Sequence, residues 1–394
     1  MKKLLLASAA IALGATGAYA DDVKMGVLLG FTGPLESLAP PMAQGAEMAI
    51  KEVSDSGKLL GGDTVTAVRG DSTCVDAAAA TAAGETLVTT DKVAGIMGAM
   101  CSGATTAVLQ NVAMPNGVVM ISPSATSPAL STLEDDGLFF RTAPSDARQG
   151  EVMADEILEK GIKNVAVTYT NNDYGKGLAD SFEKAYKAKG GSVTISAAHE
   201  DGKGDYSAEV ASLASAGGDA LVIVGYIDQG GSGILRGALD TGAFETFVFP
   251  DGMVSQTLED NFGSEINGSF GQLPDSAGDG MKTYLGMAEK AGFDGSSAYS
   301  GGAYDAAALM LLAMQAADST DPKVYKDKVM EVANGPGEKI YPGELGKALD
   351  LIKEGKPVDY EGATAVNLIG NGEAAGTFRE ITIKDDKIET VKYR

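Results

Sequence analysis

Between Lys24 and Ile121 the chain repeats one unit: a short apolar run, a small or polar turn, then a stretch with apolar residues at helical spacing. Lys24–Leu29, Thr64–Arg69, Val93–Gly98 and Val118–Ile121 read as strands. The stretches between them read as helices, including Val75–Thr89, Thr105–Ala113 and one with Met42, Ala46, Ala49, Ile50 and Val53 on a single face. Strands that alternate with helices over short connections pair in parallel, with helices covering both faces of the sheet. The fold class expected is therefore α/β, doubly wound.

After Leu138–Arg141 and a linker, Thr142-Ala143-Pro144-Ser145, the rhythm restarts. Strands are expected at Asn164–Tyr169, Val193–Ser196, Ala220–Val224 and Phe247–Phe249. Helices are expected at Glu151–Lys160, Tyr174–Lys189, Tyr206–Ala216 and Gly233–Thr241. The halves match in architecture without a sequence repeat. Beyond Gly268–Gln272 the pattern turns helical (Met281–Ala291, Tyr299–Ala316, Lys323–Ala333, Leu345–Glu354) and ends in strand-like Ala363–Asn367, Phe378–Lys384 and Lys387–Tyr393. Helices that follow a finished second sheet imply a return to the first domain, hence several crossings and a hinge.

The first twenty residues have the form of an export signal: Lys2 and Lys3, an apolar run Leu4–Gly17, and the small-x-small site Ala18-Tyr19-Ala20 before Asp21. Cleavage after Ala20 and a periplasmic location are expected. Asp21 stands where a lipid-modified cysteine would, which favours a freely soluble protein. The remaining chain suffices for two domains. A formal net charge of −23 repels phosphate backbones and argues against nucleic-acid partners. The two cysteines, Cys74 and Cys101, read as a disulfide in an exported chain, with two free thiols as the alternative. A bridge would restrict the unfolded chain by about 3.5 kcal/mol.

Chemistry has little to stand on. The single histidine, His199, lies in a polar stretch and is expected at the surface. One histidine, paired cysteines and no calcium-loop ladder argue against a metal site, and no P-loop or G-x-G-x-x-G indicates a cofactor. Ala298-Tyr299-Ser300-Gly301-Gly302 is a poor match to a nucleophile elbow. An exported hydrolase using Ser300 or Ser102 with His199 is the reading from another class. A ligand-sensing domain of a regulator or chemoreceptor is a third.

Binding has more support. Cys101-Ser102-Gly103-Ala104-Thr105 and Ser122-Pro123-Ser124-Ala125-Thr126 follow neighbouring strands of the first half. Ligands of open α/β sheets sit just past the strands' carboxyl ends, and such turns offer N–H groups and hydroxyls to an anion. The plainer alternative is that Ser102 and Thr126 cap helices. In the second half, Tyr226 and Asp251 stand at strand ends and suit a cation; ordinary packing and a turn are their plainer alternatives. Together these residues make a site for a small zwitterion.

The chain resembles the periplasmic leucine/isoleucine/valine-binding protein family, type I solute receptors of ABC importers. The pieces that carry the likeness, in order, begin with Phe31-Thr32-Gly33-Pro34, Gly45-Ala46-Glu47, Cys74, Gly98-Ala99-Met100-Cys101-Ser102 and Ile121-Ser122-Pro123-Ser124-Ala125-Thr126. They continue with Asp173-Tyr174-Gly175-Lys176-Gly177, Asp205-Tyr206-Ser207 and Tyr299 with Tyr304-Asp305-Ala306. The resemblance implies two doubly wound parallel-sheet lobes joined by a three-strand hinge: residues 21–141 and 272–377 in one, 142–271 and 378–394 in the other. It places the ligand's carboxylate on Ser102 and Thr126, and its ammonium on the Ser124 carbonyl, Tyr226 and Asp251. The side chain falls near Met100, the Cys74–Cys101 bridge, Tyr174 and Tyr299. It also implies a monomer that hands a free amino acid, branched-chain or small aliphatic, to a membrane permease. Two departures stand out: Leu38 occupies a position where these receptors commonly carry an aromatic residue, and Asp251 replaces their usual glutamate. One methylene is worth about 1–3 kcal/mol of discrimination, so the ligand class is better defined than the ligand. Receptors of the same scaffold for urea, short amides or aromatic carboxylates are the alternative.

Overall fold

A computed structural model of the protein describes residues 21–394; the expected export signal, residues 1–20, lies outside them. The described residues build two seven-stranded sheets and one two-stranded ribbon. In the first sheet β1 (Asp22–Leu29), β2 (Thr64–Asp71), β3 (Gly95–Gly98), β4 (Met120–Ser122) and β5 (Phe139–Arg141) run parallel in the order β5-β4-β3-β1-β2. The second sheet repeats that order with β6 (Asn164–Thr170), β7 (Ser192–His199), β8 (Ala220–Val224), β9 (Phe247–Phe249) and β10 (Phe270–Pro274), arranged β10-β9-β8-β6-β7. Every residue of β3, β4, β5, β8 and β9 is buried, because helices cover parallel strands on both faces.

Past β10 come helices and the ribbon of β11 (Glu338–Ile340) and β12 (Val358–Tyr360). The chain then adds β13 (Leu368–Ile369) and β14 (Glu373–Ala374) to the first sheet beside β5. Finally β15 (Phe378–Lys384) and β16 (Lys387–Tyr393) extend the second sheet, antiparallel, beside β10. The backbone thus passes between the sheets three times, after β5, after β10 and after β14. The helix Ser300–Ala317, buried from Ser300 to Gln315, packs on the helix Ala39–Ser56 and against β3 and β4. An apolar surface all round its axis demands that burial, which is why the chain returns to the first sheet.

Three local expectations need correction. Ala363–Asn367 is a turn, not a strand, because the Asp305 carboxylate takes the N–H groups of Ala363 and Thr364 that a ladder would need. The helix expected over Thr105–Ala113 starts earlier, at Ser102–Val108, and widens to a π-type turn over Leu109–Ala113. His199 is not at the surface. It ends β7 opposite Thr170 of β6 and is 1% exposed, with Nδ1 2.8 Å from the Thr168 hydroxyl. The strand runs past the apolar run because Ala197 and Ala198 pair with Thr168 and Tyr169 of β6.

Candidate functional site

Each sheet has a place where successive connections leave in opposite directions, between β1 and β3 and between β6 and β8. Loops part there and leave a crevice at the carboxyl ends of the strands. The two crevices face each other and enclose a cavity of about 320 Å³. Its walls are Leu35 and Leu38 after β1, Met100, Cys101 and Ser102 after β3, and Ser124 after β4. From the second half come Tyr174 after β6, Tyr226 after β8, and Asp251 and Gly252 after β9; Tyr299 precedes the long buried helix. Nine of the ten expected site residues therefore line one space. Thr126, the tenth, is fully buried but is not among the lining residues.

The first half-site consists of hydroxyls and backbone. The Ser102 hydroxyl accepts a hydrogen bond from the Ser127 N–H at 3.1 Å, so it ties two turns together instead of capping its own helix. Its own hydrogen is left free to donate. The Ser124 hydroxyl donates to the Met100 carbonyl at 2.7 Å. Behind the second turn lies Arg141, 1% exposed. Its guanidinium donates to the carbonyls of Ala125 and Ser127 at 2.9 and 3.0 Å, to the Ser131 hydroxyl, and to Glu373, its register partner in β14. The Cys74–Cys101 disulfide, Cα–Cα 5.1 Å, braces the first turn. It also supports the loop that carries Leu35 and Leu38: Gly33 has φ +108°, and a Cβ there would stand 2.3 Å from the Thr73 carbonyl.

The second half-site is a single carboxylate. Asp251 is 3% exposed and faces the cavity, not solvent. Three side chains donate to it: Gln149 at 2.7 Å and Tyr174 at 3.0 Å to Oδ1, and Tyr299 at 2.7 Å to Oδ2. Burial pushes the Asp251 carboxyl up from its ordinary value, and the three donors pull it back down. Burial raises the Tyr174, Tyr226 and Tyr299 phenols well above their usual range, so all three stay protonated, and Tyr174 and Tyr299 donate to Asp251. Tyr226 stacks on Tyr174 with ring centroids 5.3 Å apart. Gly252 has no room for a side chain, since a Cβ would lie 2.5 Å from the Gly225 carbonyl and 3.0 Å from the Tyr174 hydroxyl.

The halves touch around the cavity. Tyr299 reaches Asp251 from the helix packed on the first sheet. Asp228, after β8, accepts from the Ser37 N–H at 2.8 Å and donates its own N–H to the Pro34 carbonyl at 3.1 Å. Gln149 was not anticipated from the sequence, and neither was Asp146, three residues before it and fully buried. Their i, i+3 spacing directly after the linker, under the Ser145 cap, was the available signal.

The site holds donors at one end and a carboxylate at the other, the arrangement that suits a dipolar molecule. A hydrolytic pair is not assembled. The Ser300 hydroxyl bonds Tyr284 and the Pro41 carbonyl, and His199 bonds Thr168; among the described residues neither Ser102 nor Ser300 is hydrogen-bonded to His199. No group of three or more His, Cys, Asp or Glu suited to a metal occurs among the described residues.

A family model described as periplasmic binding protein matches residues 22–335. The Leu/Ile/Val-binding protein homolog 3 of Brucella melitensis is 31% identical over 378 residues, covering 92% of this chain and all of that protein. The crystal structure of the leucine binding protein LivK from Thermotoga maritima is 23% identical and superposes with a TM-score of 0.79, covering 94% of this chain and 98% of that one. A solute binding protein of an ABC transporter from R. palustris, in complex with benzoate, is 17% identical with a TM-score of 0.77 over 94% and 96%. These likenesses extend over the elements that build both half-sites, and on them the chain belongs to the periplasmic binding protein family, among the Leu/Ile/Val-binding proteins.

Proposed function

We propose that the protein is the exported substrate-binding component of an ABC importer, and that it traps a free α-amino acid with a branched or small aliphatic side chain. Asp251 carries this reading: a buried carboxylate held by three donors, across the cavity from the Ser102 and Ser124 turns. An ammonium group offsets the cost of burying that charge, and a carboxylate group meets the donors opposite. Thr126 supplies a further hydroxyl once the ligand is seated. Leu35, Leu38, Met100 and the Cys74–Cys101 bridge form the apolar side-chain pocket.

Two bodies, residues 21–141 with 275–377 and residues 142–274 with 378–394, close over the ligand; the boundary expected at 271/272 moves to the end of β10, because Gln272, Leu273 and Pro274 pair with β15 in the second sheet. The membrane permease reads the closed form. Export follows cleavage after Ala20 into the periplasm, where the protein works as a monomer without a cofactor. The relatives' names, Leu/Ile/Val-binding and leucine binding, support the amino-acid class. Benzoate, held by one structural neighbour, has no ammonium group for Asp251 to meet.

A thermal-shift and calorimetry panel of amino acids, their amides, their des-amino analogues, urea and aromatic acids tests the reading. Leucine, isoleucine or valine should raise the melting temperature through binding to the folded form. Stabilisation by aromatic acids or urea and by no amino acid would overturn it.

A further inference from the structure

A second buried carboxyl lies close behind the cleft and feels the charge of Asp251. Asp146 opens the helix Asp146–Glu159, is fully buried, and neither of its carboxyl oxygens has a hydrogen-bond partner. Its backbone N–H donates to the Thr126 carbonyl at 2.9 Å, and the Thr126 hydroxyl, also buried and unpaired, faces the Asp146 carboxyl. One turn later Gln149 donates to Asp251, with its own carbonyl oxygen left unpaired. The charged and titratable groups that act on or feel Asp146 come from several elements: Asp251 after β9, Arg141 in β5, Tyr174, Tyr226 and Tyr299. Arg141 already serves Ala125, Ser127, Ser131 and Glu373.

Two ionised carboxylates in this space would face one ammonium, leaving a buried negative charge without a partner. Asp251, with three donors, is the one equipped to stay ionised. Asp146 has none. A protonated carboxyl carries one O–H donor, whereas an ionised one only accepts. We propose that Asp146 is a positioning residue that stays protonated and donates to the Thr126 hydroxyl, which turns the hydrogen of Thr126 toward the ligand's carboxylate. Ionised, Asp146 would claim that hydrogen for itself and place a second negative charge beside Asp251. Burial, and then the charge of Asp251, hold the Asp146 carboxyl well above the usual carboxylate range, in keeping with this arrangement. The proposal rests on the amino-acid reading above.

Calorimetry with leucine from neutral to alkaline pH, on wild type, Asp146→Asn and Asp251→Asn, tests it. An asparagine amide keeps a donor toward Thr126 at every pH. Asp146→Asn should therefore keep leucine affinity within about tenfold of wild type at pH 7 and show no alkaline loss of its own. Wild-type affinity should fall by up to about tenfold per pH unit as Asp146 ionises, beyond the loss of the ligand's own ammonium that both proteins share. Superimposable pH profiles, or a loss of about tenfold or more at pH 7 in a folded Asp146→Asn, would overturn it. Should that variant fail to fold, infrared spectroscopy of wild type and Asp251→Asn carrying ¹³C-labelled aspartate decides: a label-shifted band of a protonated carboxyl at pH 7 is required in both, and its absence refutes the proposal. That band is read without ligand. Failure of wild type to bind any amino acid would therefore sink the functional reading and leave the proton assignment separately tested.

Discussion

The two half-sites sit at equivalent points of two sheets with the same strand order, yet they are built from opposite materials. The first is a pair of turns whose hydroxyls and carbonyls are shaped from behind, by Arg141 and by the Cys74–Cys101 bridge. The second is one carboxylate shaped from the front, by the Tyr174, Tyr299 and Gln149 donors. A buried charge needs donors on itself. A group of neutral donors needs only a rigid backbone, so its support stands one layer deeper. The consequence is that the halves should fail under different insults.

The largest effect is expected at the charge. Asp251→Asn should weaken amino-acid binding by about 4 kcal/mol while leaving des-amino analogues little changed, measured by calorimetry; equal losses for both would break the comparison. Reduction acts on the other half. Opening the bridge should lower stability by up to about 3.5 kcal/mol in denaturant titrations and loosen the loop that carries Leu35 and Leu38. An unchanged curve with two titratable thiols would show that the bridge does not form.

Acid should act on the second sheet. Burial holds His199 at about 4, against 6.5 for the free side chain. Between those values the unfolded chain takes up the proton first, so the stabilisation present above pH 6.5 is lost as pH falls toward 4, by about 3 kcal/mol at most. Thermal melts across that window should show this slope in wild type and lack it in His199→Gln. The smallest effect is expected at Ser102. Ser102→Ala should cost about 2 kcal/mol for free acids, the worth of one hydrogen bond to a charged group, and less for amino-acid amides. The reverse ordering would move the carboxylate to the other end of the cavity.

Much of this arrangement is legible in the chain. The strand ends carry Ser102, Ser124, Tyr174, Tyr226 and Asp251, and the alternation of strand and helix alone says that such positions meet at one edge of a sheet. Asp146, Gln149 and Arg141 escape the same reading. They act through contacts to residues in other elements, and nothing local distinguishes a buried arginine at a strand end from an exposed one. His199 escapes for a related reason: neighbouring alanines conceal the strand, and only pairing with β6 brings the ring inside.

Periodicity, turn chemistry and the places where polar residues interrupt apolar runs are properties of neighbouring residues. They are sufficient for the α/β class, for two similar halves and for which strand ends carry polar groups. What the tertiary structure alone decided is the partnership across the cleft: which donors reach Asp251, what stands behind the Ser124 turn, and that a second carboxyl, Asp146, is enclosed with them. Those outcomes depend on groups far apart in the chain being desolvated together, and the energy of a charge or a donor is not defined until its surroundings have lost their water.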